Sequence, residues 1–164
     1  MKQKVYVETT IVSYLTARPS RDVVMAGRQQ TTRDWWESAR KRFDFVASEL
    51  VIDEAADGDP DAARERLASL SSLSLLEATA EAERFAEFLL RSGVVPKRAA
   101  TDAAHIAIAV INGVEYLVTW NCRHIANAAI RAQIERSCRD AGYEPTIICT
   151  PDELMETDDE YAAQ

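Results

Sequence analysis

The stretch Tyr116–His124, YLVTWNCRH, decides the fold of this chain. It begins as a short run of β-type residues and stops at Asn121, whose amide oxygen is able to hold a metal. The same design stands near the N-terminus, where KVYVETT (Lys4–Thr10) ends its apolar run at Glu8. Between the two lies DAAHIAIAVING (Asp102–Gly113), which opens on Asp102 and is otherwise almost wholly apolar. A helix apolar on every side is a buried helix. In a parallel α/β sheet ligands bind outside the carboxyl ends of the strands, so oxygens from Glu8, Asp102 and Asn121 are expected to converge there. That is the layout of a hard-cation site.

Outward from these segments, strands and helices alternate. Lys4–Val7 reads as strand and the segment from Thr9 as helix, interrupted by Pro19. A second helical stretch is expected from about Ser20 to Arg42, with a break near Gly27. Asp44–Ala47 is strand-like, and Ser48 is a good N-cap for a helix ending near Gly58. Asp59 and Pro60 then cap and open another helix. Ser72–Leu76 reads as strand, Thr79–Arg91 as helix and Gly93–Pro96 as loop. The apolar helix stops at Asn112-Gly113. Tyr116–Thr119 is a strand, His124 to about Asp140 a helix, and Thr146–Cys149 a last strand. Such alternation is the signature of a three-layer parallel sheet.

A length of 164 residues suits one domain with a real core, and 47% hydrophobic with 28% charged residues is a globular composition. No stretch approaches the roughly 20 apolar residues of a membrane span. The apolar run before Glu8 is too short for a secretory signal, and three widely spaced cysteines, Cys122, Cys138 and Cys149, suit reduced thiols. A cytoplasmic location is the expectation. The net charge of −8 argues against casual nucleic-acid binding. Six acids between Asp152 and Glu160, with no base among them, leave only −2 for the rest. The stretch Arg18–Arg42 meanwhile carries seven bases against Asp22, Asp34 and Glu37. Taken singly, each charged run is also what a solvated helix face looks like.

Each candidate residue has a structural explanation beside its chemical one. Glu8, at the end of a central strand, costs several kcal/mol unless paired or metal-bound, yet it can equally cap the helix that follows. Asp102 favours the helix dipole from the first turn whether or not it binds anything. Glu54 follows Val51 by three residues and can point towards the sheet end, or be one exposed acid among Glu49, Asp53 and Asp57. Asn121 suits a turn after a strand, and Thr119 either strand pairing or a hydroxyl at the site. His105 and His124 read as packed or exposed imidazoles before they read as catalytic ones. Trp35 and Trp36 read as core or interface rather than as a base-stacking platform. With Tyr14 they give more aromatic surface than a small core needs, and a homodimer through the early helices is expected.

The runs VYVETTIVSYL (Val5–Leu15), WWESARKRFDFVASELVIDEAADGDPDAARERL (Trp35–Leu67) and ATDAAHIAIAVINGVEYLVTWNCRHIANA (Ala100–Ala128) resemble the PIN domain, in the branch related to the toxins of VapBC toxin–antitoxin pairs. The resemblance spans roughly residues 4–150, in the family's order and spacing. It implies a PIN-like α/β/α sandwich on a parallel sheet of about five strands over residues 1–150, with 151–164 as an acidic C-terminal tail. It also implies a ribonuclease dependent on Mg²⁺ or Mn²⁺, RNA as substrate and an antitoxin protein as partner. The family's site carries over onto Glu8, Glu54, Asp102 and Asn121 as catalytic and metal-binding residues, with Thr9 and Thr119 as supporting hydroxyls and Arg18, Arg21 or Arg123 steering RNA. Two positions depart from the family's usual pattern. Glu8 stands where Asp is common, one methylene longer, and Asn121 stands where Asp is common, a neutral and weaker ligand. A formal −3 in place of −4 weakens cation attraction, so a loosely held ion is expected, Mn²⁺ in preference to Mg²⁺.

Two other readings compete. Phosphoaspartate chemistry, as in haloacid-dehalogenase-type phosphatases, also places an acid after the first strand, but it needs an Asp nucleophile and VYVETT offers Glu8. A PIN-like module that binds RNA or a protein without efficient cleavage is the stronger alternative, because of the substitutions at Glu8 and Asn121.

Overall fold

The structure is a computed structural model and describes residues 1–156. Five strands form one sheet: β1 (Lys4–Val7), β2 (Asp44–Ser48), β3 (Ser74–Leu76), β4 (Tyr116–Val118) and β5 (Ile147–Cys149). The helices between them are α1 (Thr9–Thr16), α2 (Val23–Arg42), α3 (Glu49–Ala55), α4 (Pro60–Leu70), α5 (Ala80–Arg91), α6 (Ala100–Ile111) and α7 (Ala128–Asp140). Single 3₁₀ turns cover Lys97–Ala99 and Pro151–Leu154. Every pairing is parallel and the strand order is β3-β2-β1-β4-β5. The chain thus winds outward from β1 in one direction, then returns to its other side at β4. Right-handed crossovers in opposite directions put helices on opposite faces. In keeping with that, α1 packs on α2, α3 and α4, while α5 packs on α6. This is the expected three-layer α/β/α sandwich.

β1 is central because both of its faces can be buried: Val5, Tyr6 and Val7 are all inaccessible to solvent. Its register aligns Tyr6 with Val46 of β2 and with Leu117 of β4. Helices begin where capping side chains dictate. Ser48 accepts from the amide of Val51, Asp59 from Ala62 ahead of a Pro60 start, and Thr79 from Ala82. α6 buries Ala103, His105 and every residue from Ile106 to Val110, as its composition requires.

Three local features differ from the sequence-based expectation. α2 runs unbroken through Gly27, because a single glycine costs a helix only about 1 kcal/mol. α7 starts at Ala128 rather than His124. Asn121 bends the chain first: its carbonyl accepts from Ile125 and Ala126, and Asn127 caps the helix through the amide of Ala129. Trp35 and Trp36 belong to the core, where Trp35 stacks on Phe45 with centroids 4.9 Å apart and Trp36 packs on the same ring. They supply no surplus aromatic surface, and only Tyr14 of the three is half-buried.

At the other end, Thr150 forms a capping box with Glu153, which also pairs with Arg131, while Arg42 approaches Glu156 at 3.2 Å. Residues 151–156 thereby dock against the body of the domain. The acids Asp158, Asp159 and Glu160 lie outside the described residues.

Candidate metal centre

Glu8 leaves the carboxyl end of β1, in the middle of the sheet, beside the point where the strand order reverses between β1 and β4. It is 3% exposed. Its Oε2 accepts from the Thr10 amide at 3.0 Å, from the Thr10 hydroxyl, and from the Thr119 hydroxyl at 2.8 Å. Both hydroxyls are themselves aimed by the end of β4. Thr10 Oγ1 accepts the Trp120 amide at 2.8 Å, and Thr119 Oγ1 accepts the Asn121 amide at 2.9 Å. The N-cap explanation of Glu8 is therefore correct, and it accounts for one oxygen of the carboxylate. No hydrogen bond falls on Oε1 among the described residues.

Glu54 reaches the same place from the last turn of α3, with its side chain 36% exposed. Its Oε1 accepts from the Thr9 hydroxyl at 2.8 Å and from His105 Nε2. Burial works to raise the Glu54 pKa, but the hydrogen bonds from His105 and the Thr9 hydroxyl outweigh it, so the carboxyl sits below its ordinary value. Oε2 of Glu54 has no hydrogen bond among the described residues. Glu8, Glu54 and His105 each present a potential ligand atom, and the three atoms lie within 4.8 Å of one another.

Asp102 and Asn121 take a neighbouring position. Asp102, in the first turn of α6 with its side chain 20% exposed, has Oδ2 3.0 Å from His124 Nδ1. The backbone of His124 in turn donates to Asn121 Oδ1 at 3.0 Å. A continuous path of hydrogen bonds therefore runs from Glu8 through Thr119, Asn121 and His124 to Asp102. Glu8 and Glu54 come together, and the Thr9 and Thr119 hydroxyls donate to Glu54 and Glu8 respectively. Asp102 is not part of the three-residue group, and Asn121 spends its side-chain oxygen on a turn.

His105 is the group that sequence gives no role beyond packing. Its side chain is 1% exposed, and both ring nitrogens are engaged. One signal was available, since His105 follows Asp102 by three residues and so lies on the same helix face.

No family model matches the chain, and no curated protein matches it in sequence. Among solved structures it is similar to the crystal structure of VapBC2 from Rickettsia felis bound to a DNA fragment from their promoter. The superposition has a TM-score of 0.57 and covers 90% of this chain and 98% of that chain, at 14% sequence identity. The fold is PIN-like. At that identity the likeness is one of fold, and what this PIN-like chain does must be argued from its own side chains.

The chemistry of those side chains fits a divalent cation. Two ionisable carboxylates this close repel each other unless a proton or a cation intervenes. Each keeps one oxygen clear of hydrogen bonds while its other oxygen is pinned. Oxygen donors of that kind suit a hard divalent cation.

Proposed function

We propose that the chain is a metal-dependent ribonuclease that hydrolyses RNA phosphodiesters with Mg²⁺ or Mn²⁺, acting as the toxin of a toxin–antitoxin pair. The observation that carries this reading is the meeting of the Glu8 and Glu54 carboxylates at the carboxyl edge of β1, where the strand order reverses. A divalent cation bound there supplies neutralisation of the phosphate's charge and a more acidic water.

The chain's own residues do the positioning. Thr10 and Thr119 pin one oxygen of Glu8 and leave the second free for a cation, and Thr9 and His105 do the same for Glu54. Asp102 joins directly or through water, its outer oxygen steadied by His124. Asn121 contributes its amide N–H groups, which orient a water or a phosphate oxygen. Arg18 and Arg21 are exposed at the end of α1 and before α2, and Arg123 follows Asn121, where they steer an anionic strand.

An antitoxin protein is the partner this reading implies. The solved relative is itself a VapBC complex on promoter DNA. Among the described residues no helix is long and apolar enough to cross a membrane.

A second reading is favoured by one observation, the commitment of Asn121 Oδ1 to the His124 amide. With that oxygen spent, the chain binds RNA or a protein partner without efficient cleavage.

Hydrolysis of end-labelled RNA separates the two. The ribonuclease reading expects cleavage with Mn²⁺ or Mg²⁺, none with chelator, and loss in Glu8→Gln and Asp102→Ala variants that still fold. Cleavage that survives chelator or both substitutions contradicts it, and RNA binding without cleavage favours the second reading.

A further inference from the structure

A buried file of hydrogen bonds stands behind the metal centre, and only its last link, from His105 to Glu54, enters the chemistry above. Ser48 Oγ accepts the Val51 amide at 3.4 Å and lies 2.8 Å from the Tyr6 hydroxyl, which lies 2.7 Å from His105 Nδ1. His105 Nε2 then meets Glu54 Oε1. Ser48, Tyr6 and His105 are each 1% exposed or less, so every proton in the file must find its acceptor within it.

The direction of the file can be worked out from its two ends. Val51 N–H is a fixed donor, so Ser48 Oγ receives there. An ionised Glu54 only accepts, so His105 Nε2 must carry a proton. With the imidazole neutral, Nδ1 accepts the Tyr6 O–H and the Tyr6 oxygen accepts the Ser48 O–H. Every proton is then used once. With both ring nitrogens protonated, Tyr6 turns to donate to Ser48, and the buried Ser48 hydroxyl proton has no acceptor among the described residues.

We propose that His105 is a positioning residue: Tyr6 and Ser48 fix its Nε2–H tautomer, and that N–H pins one oxygen of Glu54 so that the other is presented to the cation. Hydrogen bonds that orient ligating carboxylates tune metal affinity in this way. The proposal rests on the metal reading above, so its test has an arm that needs no metal.

Long-range ¹H–¹⁵N NMR of the metal-free protein reads which nitrogen of His105 is protonated. A proton on Nε2 is expected. A bare Nε2 facing Glu54 overturns the proposal. The second arm is calorimetric titration with Mn²⁺. His105→Gln, which keeps an N–H near the Nε2 position, should bind Mn²⁺ much as the unsubstituted protein does, while His105→Leu should bind about tenfold more weakly or worse. Equal affinity in all three, or equal weakness in both variants, overturns the positioning role. If the unsubstituted protein takes up no Mn²⁺, the metal reading fails, and the imidazole spectrum still decides the hydrogen bond to Glu54.

Discussion

Three donors meet one oxygen of the buried Glu8 side chain. Thr119 is the pivotal one, since its hydroxyl also takes the Asn121 amide. Thr119→Val keeps the shape, removes both bonds and leaves a buried acceptor and a backbone donor short of a partner. We expect a loss of about 1–3 kcal/mol, measured by urea unfolding. Glu54 gives a pH signature. Its folded pKa lies below the ordinary 4.5, so the stability it adds is complete above that value and disappears as pH falls through the folded pKa. The stability difference between the unsubstituted protein and Glu54→Gln should therefore be widest near neutral pH and shrink below about 4.5, as followed by thermal unfolding across pH. At this scale the sequence announces its acids unevenly. Glu8 ends an apolar run, so its place at a strand end is legible. His105 has no comparable local mark, because its partners come from residues 6, 48 and 54, brought together only by the sheet.

Elements were more legible than residues, because hydrophobic period and caps act locally. β1, β2, β4 and β5 fall within a residue or two of where their β-type runs place them, Ser48 and Asp59 cap the helices expected of them, and Thr79, read as helical, is the cap of its helix. The misplaced boundary at α7 has a tertiary cause. His124 is held out of the helix by Asp102, a contact 22 residues away that local pattern cannot show, while its backbone closes the local turn that Asn121 opens. Gly27 shows the converse, a local signal overridden by the rest of a long helix. A Cβ at Gly27 meets nothing within 4 Å, so Gly27→Ala should stabilise the protein by about 0.5–1 kcal/mol. Thermal unfolding checks this, and an unchanged or lower Tm would mean that α2 is not continuous there.

For the whole molecule, the order β3-β2-β1-β4-β5 places the reversal point beside Glu8, and a centre built on that edge follows from topology. The homodimer stays a proposal, and the surface offered for it differs from the one the tryptophans suggest. The exposed apolar residues of α2 are Val23, Val24 and Met25, at 85%, 64% and 40% exposure, beside Tyr14. A homodimer that buries this patch is the expected assembly at tens of micromolar, on the order of a weak interface, and Val24→Lys should shift light scattering towards monomer.

The central claim is that Glu8 and Glu54 together hold a divalent cation. Anomalous diffraction from crystals soaked in Mn²⁺ tests it most directly. The account predicts a peak in contact with an oxygen of each of these two carboxylates, at about 2.2 Å as oxygen-ligated cations of this size require. A map without such a peak, or with one that touches neither Glu8 nor Glu54, would contradict it.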